Sequence, residues 1–97
     1  MIDARGALEA VERVLNRGGE PDDVVRAVLG ALYVRGVPSA RVSYPDGREL
    51  CVGGEEERLA VPVAFEDTEV ARLELAVDDR AFAERVAILI SAYAARR

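Results

Sequence analysis

The hydrophobic residues of this 97-residue chain change their spacing twice, and this change constrains the fold more than any other feature of the sequence. Up to about residue 35 they recur every three or four positions, the period of an amphipathic helix. Between residues 40 and 77 they alternate with polar residues, as in a β-strand with one buried face. From residue 80 the helical spacing returns. We therefore predict one domain over residues 1–97, helical at both ends with a sheet between.

Two helices are predicted before the sheet and one after it. Asp3 is suited to cap the first helix, and Pro21 suits the first turn of the second. Gly36 is expected to close the second helix, and Pro38 makes its continuation costly, so the chain should become extended near Ser39. Asp78 or Asp79 is expected to cap the last helix.

Four strands are predicted between the helices. The first two form a hairpin around the turn at residues 45–47, which read Pro-Asp-Gly. The third places apolar residues at every second position from 59 to 65, and the fourth follows a turn at residues 66–69. The predicted fold is α+β in the order α-α-β-β-β-β-α, with an antiparallel sheet of about four or five strands. The N- and C-terminal helices are expected to pack on one face of that sheet, and the other face is expected to be exposed to solvent.

Composition excludes several classes of function. A net charge of −5 has the wrong sign for binding a phosphate backbone, so we predict no nucleic-acid partner. The chain has no histidine and a single cysteine, Cys51, which disfavours imidazole-dependent catalysis, most zinc sites and an internal disulfide. We therefore predict no enzyme activity, no cofactor, no metal and no catalytic residue.

Membrane and secretory segments are not expected either. The most apolar stretch, residues 86–95, is too short for the roughly 20 residues that span a bilayer. The first apolar run is interrupted by charges, among them Arg5 and Glu9, so it does not resemble a signal peptide. The lone thiol suits a reducing compartment, and a cytoplasmic location is expected.

Three groups of polar residues are candidates for chemistry. Cys51 has no second thiol or imidazole to activate it, so a structural role is favoured. The acidic residues 55–57 could bind a hard cation, although a solvated loop is the favoured interpretation. Four arginines are expected to cluster on the outer sheet face, where they either form cross-strand ion pairs with two glutamates, which we favour, or hold an anion. They are Arg41, Arg48, Arg58 and Arg72, and the glutamates are Glu49 and Glu74.

Several segments resemble the GAF domain family. Leu59-Ala60-Val61-Pro62-Val63 resembles a strand of that family, residues 70–75 resemble its penultimate strand, and residues 81–85 resemble the opening of its last helix. Residues 21–32 and 37–42 resemble its long helix and first strand. The resemblance implies a regulatory domain of the GAF fold, and family members commonly dimerise through their terminal helices.

The chain also departs from the GAF pattern. Ligand-binding members enclose their ligand with a long excursion between the second and third of these strands, whereas here only residues 53–58 lie in that place. Six residues span at most about 20 Å, so they can connect the strands without roofing a cavity. The pocket is therefore expected to be absent or shallow.

The terminal helices carry more apolar surface than one sheet needs, which favours self-association. The residues predicted to form a dimer interface are Leu8, Val11, Leu15, Val86, Ile90 and Tyr93. We expect a non-enzymatic GAF-like regulatory or protein-interaction domain that homodimerises through these helices. Two alternatives stay open: a small-molecule-sensing GAF domain with a reduced pocket, and an accessory subunit of a hetero-complex that accepts a partner at an exposed strand edge.

Overall fold

An antiparallel sheet of four strands, with helices against one face, makes up this computed structural model, which describes residues 3–96. The α+β class and the antiparallel sheet are as predicted. The elements in chain order are α1 (Ala4–Arg17), α2 (Pro21–Val34), β1 (Ser39–Ser43), β2 (Glu49–Gly53), β3 (Leu59–Phe65), β4 (Thr68–Leu75) and α3 (Arg80–Ala95).

Aspartate side chains begin the two terminal helices. The Asp3 carboxylate accepts a hydrogen bond from the Gly6 N–H at 3.1 Å, which confirms the predicted cap of α1. At α3 the cap is Asp79 rather than Asp78, because its carboxylate accepts from the Phe82 N–H at 3.0 Å. Each cap satisfies a backbone donor that the first turn leaves open.

The strand order in the sheet is β2-β1-β4-β3, so two hairpins are joined through their inner strands. β1 pairs with β2 in one hairpin and β3 with β4 in the other, and the β1–β4 ladder between them sets Val42 opposite Leu73. β2 and β3 are therefore the two edges of the sheet.

The turn between β3 and β4 is shorter than predicted. Only Glu66 and Asp67 form it, with φ values of 52° and 65°, and Thr68 already belongs to β4. Two successive residues with positive φ give a turn whose twist matches that of the flanking strands. The prediction was too long because neither residue is a glycine, the usual sign of such a turn.

Two helices cover the inner face of the sheet. α2 lies against β1 and β2, α3 lies against β3 and β4, and the core between them includes Leu29, Leu73 and Ile90, all fully buried. Within the described range, the α1 backbone contacts α2 and α3 and does not approach a strand. Four strands about 4.8 Å apart offer room for two helices about 10 Å wide, which explains why the N-terminal helix packs on the other helices and not, as predicted, on the sheet.

Ile90 tests the importance of this core. Ile90→Ala should lower the free energy of unfolding by about 2–5 kcal/mol, since it leaves a cavity. Ile90→Glu should unfold the chain, because an ionised carboxylate without a partner is not tolerated among buried apolar side chains. Val34→Glu is the matched control, since Val34 is 80% exposed on α2 and lies outside the core. Urea denaturation followed by circular dichroism measures the three variants; equal stability of both glutamate variants would contradict this account of the core.

A second test uses two glycines with positive φ. Gly53 has φ +85° and lies so close to the Pro38 carbonyl that a Cβ atom there would clash, whereas Gly47 has φ +94° and open space around it. Gly47→Ala should lower the free energy of unfolding by about 1–2 kcal/mol through backbone strain alone. Gly53→Ala should lower it by a larger amount because backbone atoms must also move. Thermal and urea denaturation compare the two variants. Equal losses of unfolding free energy would show that the backbone at Pro38 can move away from the added methyl group without loss of stability.

Candidate interaction surface

The six residues predicted to form the dimer interface divide into two groups. Val11, Val86 and Ile90 have almost no accessible surface within a single chain. They therefore stabilise the fold itself, and a second copy cannot contact them. The other three, Leu8, Leu15 and Tyr93, are half-buried and remain accessible to a partner.

The accessible residues belong to a strip between the first and last helices. Leu8 and Leu15 lie on one side of α1, seven residues apart, and Leu89 and Tyr93 lie one turn apart on α3. All four are half-buried and pack against the core. The Tyr93 hydroxyl donates a hydrogen bond to the Leu15 carbonyl at 3.3 Å, which ties the two helices together. We call these four residues the α1–α3 seam.

Ile88 extends the apolar surface beyond the seam. Its side chain is 67% exposed, and among the described residues only two other large hydrophobic side chains, Tyr33 and Val34, are exposed. It adjoins Leu89 in sequence and lies one helical turn before Ala92, which is also exposed. Ile88 was not among the predicted interface residues, yet the sequence held a signal, because this isoleucine lies outside both apolar rows of α3. These rows are Phe82, Val86, Leu89 and Tyr93, and Ala83, Ala87, Ile90 and Ala94.

Two more large hydrophobic residues are exposed, both near the end of α2. Val34 is 80% exposed and lines a shallow groove between α1 and α2, together with Arg13 and Ala31. Tyr33 is exposed beside it. This groove lies along the side of α1 that faces α2, so α1 separates it from the seam.

On the outer face of the sheet, arginines from two strands and a loop surround one carboxylate. Arg41 holds Glu74 most closely, with Nε 2.7 Å and a terminal nitrogen 2.6 Å from Oε1. The Nε atoms of Arg58 and Arg72 each lie 3.7 Å from a Glu74 oxygen, and Arg41 is 3.7 Å from Glu49. The favoured prediction of cross-strand ion pairs is confirmed for Arg41, which pairs from β1 with Glu49 on β2 and Glu74 on β4. Arg72 contacts Glu74 within the same strand, and Arg58 reaches it from the link before β3.

Arg48 does not join the cluster. It forms ion pairs with Asp22, at the start of α2, and with Asp46 in the hairpin turn, and its guanidinium stacks over the Tyr44 ring at 4.5 Å. Inward-facing and outward-facing residues alternate along a strand, and Arg48 comes one position before Glu49 of the outer face. Strand alternation therefore turns it toward the helices.

Hydrogen bonds to carboxylates raise the pKa of two arginines. The bond to Glu74 raises the pKa of Arg41, and the bond to Asp22 raises the pKa of Arg48, above the usual arginine value. A raised pKa in the folded state means that the stabilisation is present at lower pH and is lost only as the pH rises through that raised value. Both arginines therefore stay protonated in their ion pairs throughout the neutral pH range.

The remaining candidates from the sequence are all in solvent. Cys51 is exposed on β2, and the acidic residues 55–57 are exposed in the link between β2 and β3. Across residues 3–96, no three histidine, cysteine or acidic side chains converge in a way that could hold a metal ion. The link passes the end of the sheet, where the Gly54 N–H bonds to the Pro38 carbonyl and Arg58 reaches the Ser39 hydroxyl. It therefore does not cover the outer sheet face.

Within the same described range, every helix is too short or too polar to cross a membrane. Comparison with known proteins yields no match among family models, curated proteins or solved structures. The resemblance of individual segments to the GAF family therefore stays a prediction.

The arginine cluster can be tested by a double-mutant cycle. Replacing Arg41 and Glu74 by alanine, singly and together, should give a coupling free energy of about 0.5–1 kcal/mol, since the pair is close but partly exposed. The same cycle for Arg72 and Glu74 should give a value near zero, because their 3.7 Å contact is longer and Arg72 is mostly exposed. Urea denaturation at low and high salt measures both cycles. Equal couplings would show that Arg41 and Arg72 share Glu74 evenly.

Proposed function

We propose that this chain is a non-enzymatic, GAF-like regulatory and protein-interaction domain, and that it forms a homodimer through its terminal helices. The observation that carries this proposal is Ile88, which is exposed on the solvent-facing side of α3, the helix that also contributes Leu89 and Tyr93 to the α1–α3 seam. The sequence resemblance to the GAF family supports it independently, because members of that family commonly pair through the same two helices.

The energetics favour a partner on this surface. Burying a large aliphatic side chain contributes roughly 1.5–3 kcal/mol relative to leaving it in water. A two-fold symmetric interface uses each contact twice, so Ile88 and the seam of both copies contribute together. The core is complete without Ile88, which means that the exposed side chain is available for association at no cost to folding.

The residues around Ile88 allow two helices to approach closely. Ala81, Ala92 and Ala95 share its face of α3, and their small side chains keep the backbones of paired helices near each other. Glu84 and Arg85 are exposed on either side, as charged residues at the rim of an interface typically are.

Oligomeric state is the direct test. Wild-type protein should have twice the 10.5 kDa chain mass in solution, and Ile88→Glu should return it to the mass of one chain, because the carboxylate would be desolvated in the interface. Val34→Glu is the matched control, since Val34 is more exposed than Ile88 but lies between α1 and α2. Light scattering after size exclusion, together with native mass spectrometry, measures the mass, and denaturation checks that both variants fold.

A wild-type chain that stays monomeric, or an Ile88→Glu variant that stays dimeric, would contradict the proposed interface. Native mass spectra of untreated protein also show whether the chain retains a bound small molecule. A persistent additional mass would support the alternative of a small-molecule sensor with a reduced pocket.

A further inference from the structure

The edge of β2 presents free backbone hydrogen-bonding groups. Next to the hairpin turn the Tyr44 N–H donates to the Arg48 carbonyl, and at the other end the Gly54 N–H donates to the Pro38 carbonyl. Hydrogen-bonded and non-bonded pairs alternate along an antiparallel ladder. The even-numbered residues of β2 therefore bond to β1, whereas the N–H and C=O groups of Glu49 and Cys51 point away from the sheet.

The opposite edge of the sheet is blocked. Pro62 lies in the middle of β3 and has no N–H to donate. Proline at such a position is one of the devices by which proteins prevent pairing at a sheet edge. Of the two edges, only β2 presents a run of donors and acceptors without a proline.

No other part of the described chain covers the β2 edge. α2 packs on the inner face of β2, and Glu49, Cys51 and Gly53 are exposed. The link at residues 54–58 leaves β2 across the end of the sheet, since Arg58 reaches Ser39 of β1 and Glu74 of β4.

The charge around this edge is strongly negative. Residues 46–57 include five carboxylates and one guanidinium, that of Arg48, so they account for most of the net charge of −5. Arg48 is already paired with Asp22 and Asp46, and the carboxylates of residues 55–57 are exposed. A strand placed beside β2 would therefore lie in a negative field.

We propose that the free edge of β2 is the docking site for an extended, basic segment of a partner protein, which adds to the sheet as a fifth strand. Glu49 and Cys51 supply two donors and two acceptors to the incoming backbone. Arginine or lysine side chains of that segment pair with the exposed acidic residues 55–57, and they share Glu49 with Arg41, which lies 3.7 Å from it. This site lies apart from the α1–α3 seam, so it adds a second partner to the proposed homodimer.

Pro62 suggests the decisive variant. Cys51→Pro removes an N–H that faces solvent and leaves the β1–β2 ladder intact, as Pro62 does on the other edge. Cys51→Ala is the matched control, because it also removes the thiol but keeps the N–H. The probe is a synthetic end-blocked peptide that alternates valine with arginine, compared with a peptide of equal length that alternates valine with glutamate.

Fluorescence anisotropy should show that the basic peptide binds wild-type protein and Cys51→Ala equally. Binding should weaken about tenfold in Cys51→Pro, and the acidic peptide should bind at least about tenfold more weakly than the basic one. Amide exchange on wild-type protein gives a readout that needs no variant: the N–H groups of Glu49 and Cys51 should become protected on addition of the basic peptide.

Three results would overturn the proposal: no binding of the basic peptide, equal binding of both peptides, or equal binding by the proline and alanine variants. Loss of the wild-type dimer in Cys51→Pro would also overturn it, because the edge would then be occupied by a second copy. The Ile88→Glu variant should bind the basic peptide as the wild type does, which separates failure of the edge site from failure of the helical dimer.

Discussion

The pairing of β1 with β4 is the interaction on which the rest of the structure depends. Each of these strands belongs to a local hairpin, and only their ladder joins the two hairpins into one sheet. The same ladder brings α2, which covers the first hairpin, beside α3, which covers the second. It also places Arg41 directly opposite Glu74, so the cluster on the outer face is a consequence of the register that aligns Val42 with Leu73 on the inner face. Apolar burial on one side and ion pairing on the other thus favour the same register.

The elements could be predicted from the sequence because each rests on local spacing. Strand alternation and the Asp-Gly turn are visible over a few residues, as are the aspartate caps of α1 and α3. The β1–β4 register is different, since it joins residues about thirty positions apart, and the sequence of neither strand identifies the strand with which it pairs. The two-residue turn at Glu66 and Asp67 escaped prediction for a local reason, because its positive φ angles occur without glycine.

The sequence allowed us to predict which helices carry the candidate surface, but not which face of each helix is exposed. Val86 and Ile90 belong to the two neighbouring apolar rows of α3, and their burial depends on how α3 meets β3 and β4. A three-turn row on an isolated helix does not distinguish a core face from a partner face. Position relative to the buried rows carried more information, because Ile88 lies outside both of them. Strand alternation would likewise have placed Arg48 and Arg41 on opposite faces of the sheet. Arg41 lies opposite Cys51, and Cys51 is three positions from Arg48, an odd offset that reverses the face.

The acidity around β2 bears on both association sites at once. An open strand edge is a hazard for a protein, because any chain with free backbone groups can pair with it. Two copies of this chain that approached through β2 would bring together two segments of like negative charge, which opposes self-pairing there. The helical surface has no such excess, since Glu84 and Arg85 balance beside Ile88. Charge therefore favours the proposed pairing of identical copies through the helices over pairing through β2, and it favours a partner of opposite sign at the proposed β2 site.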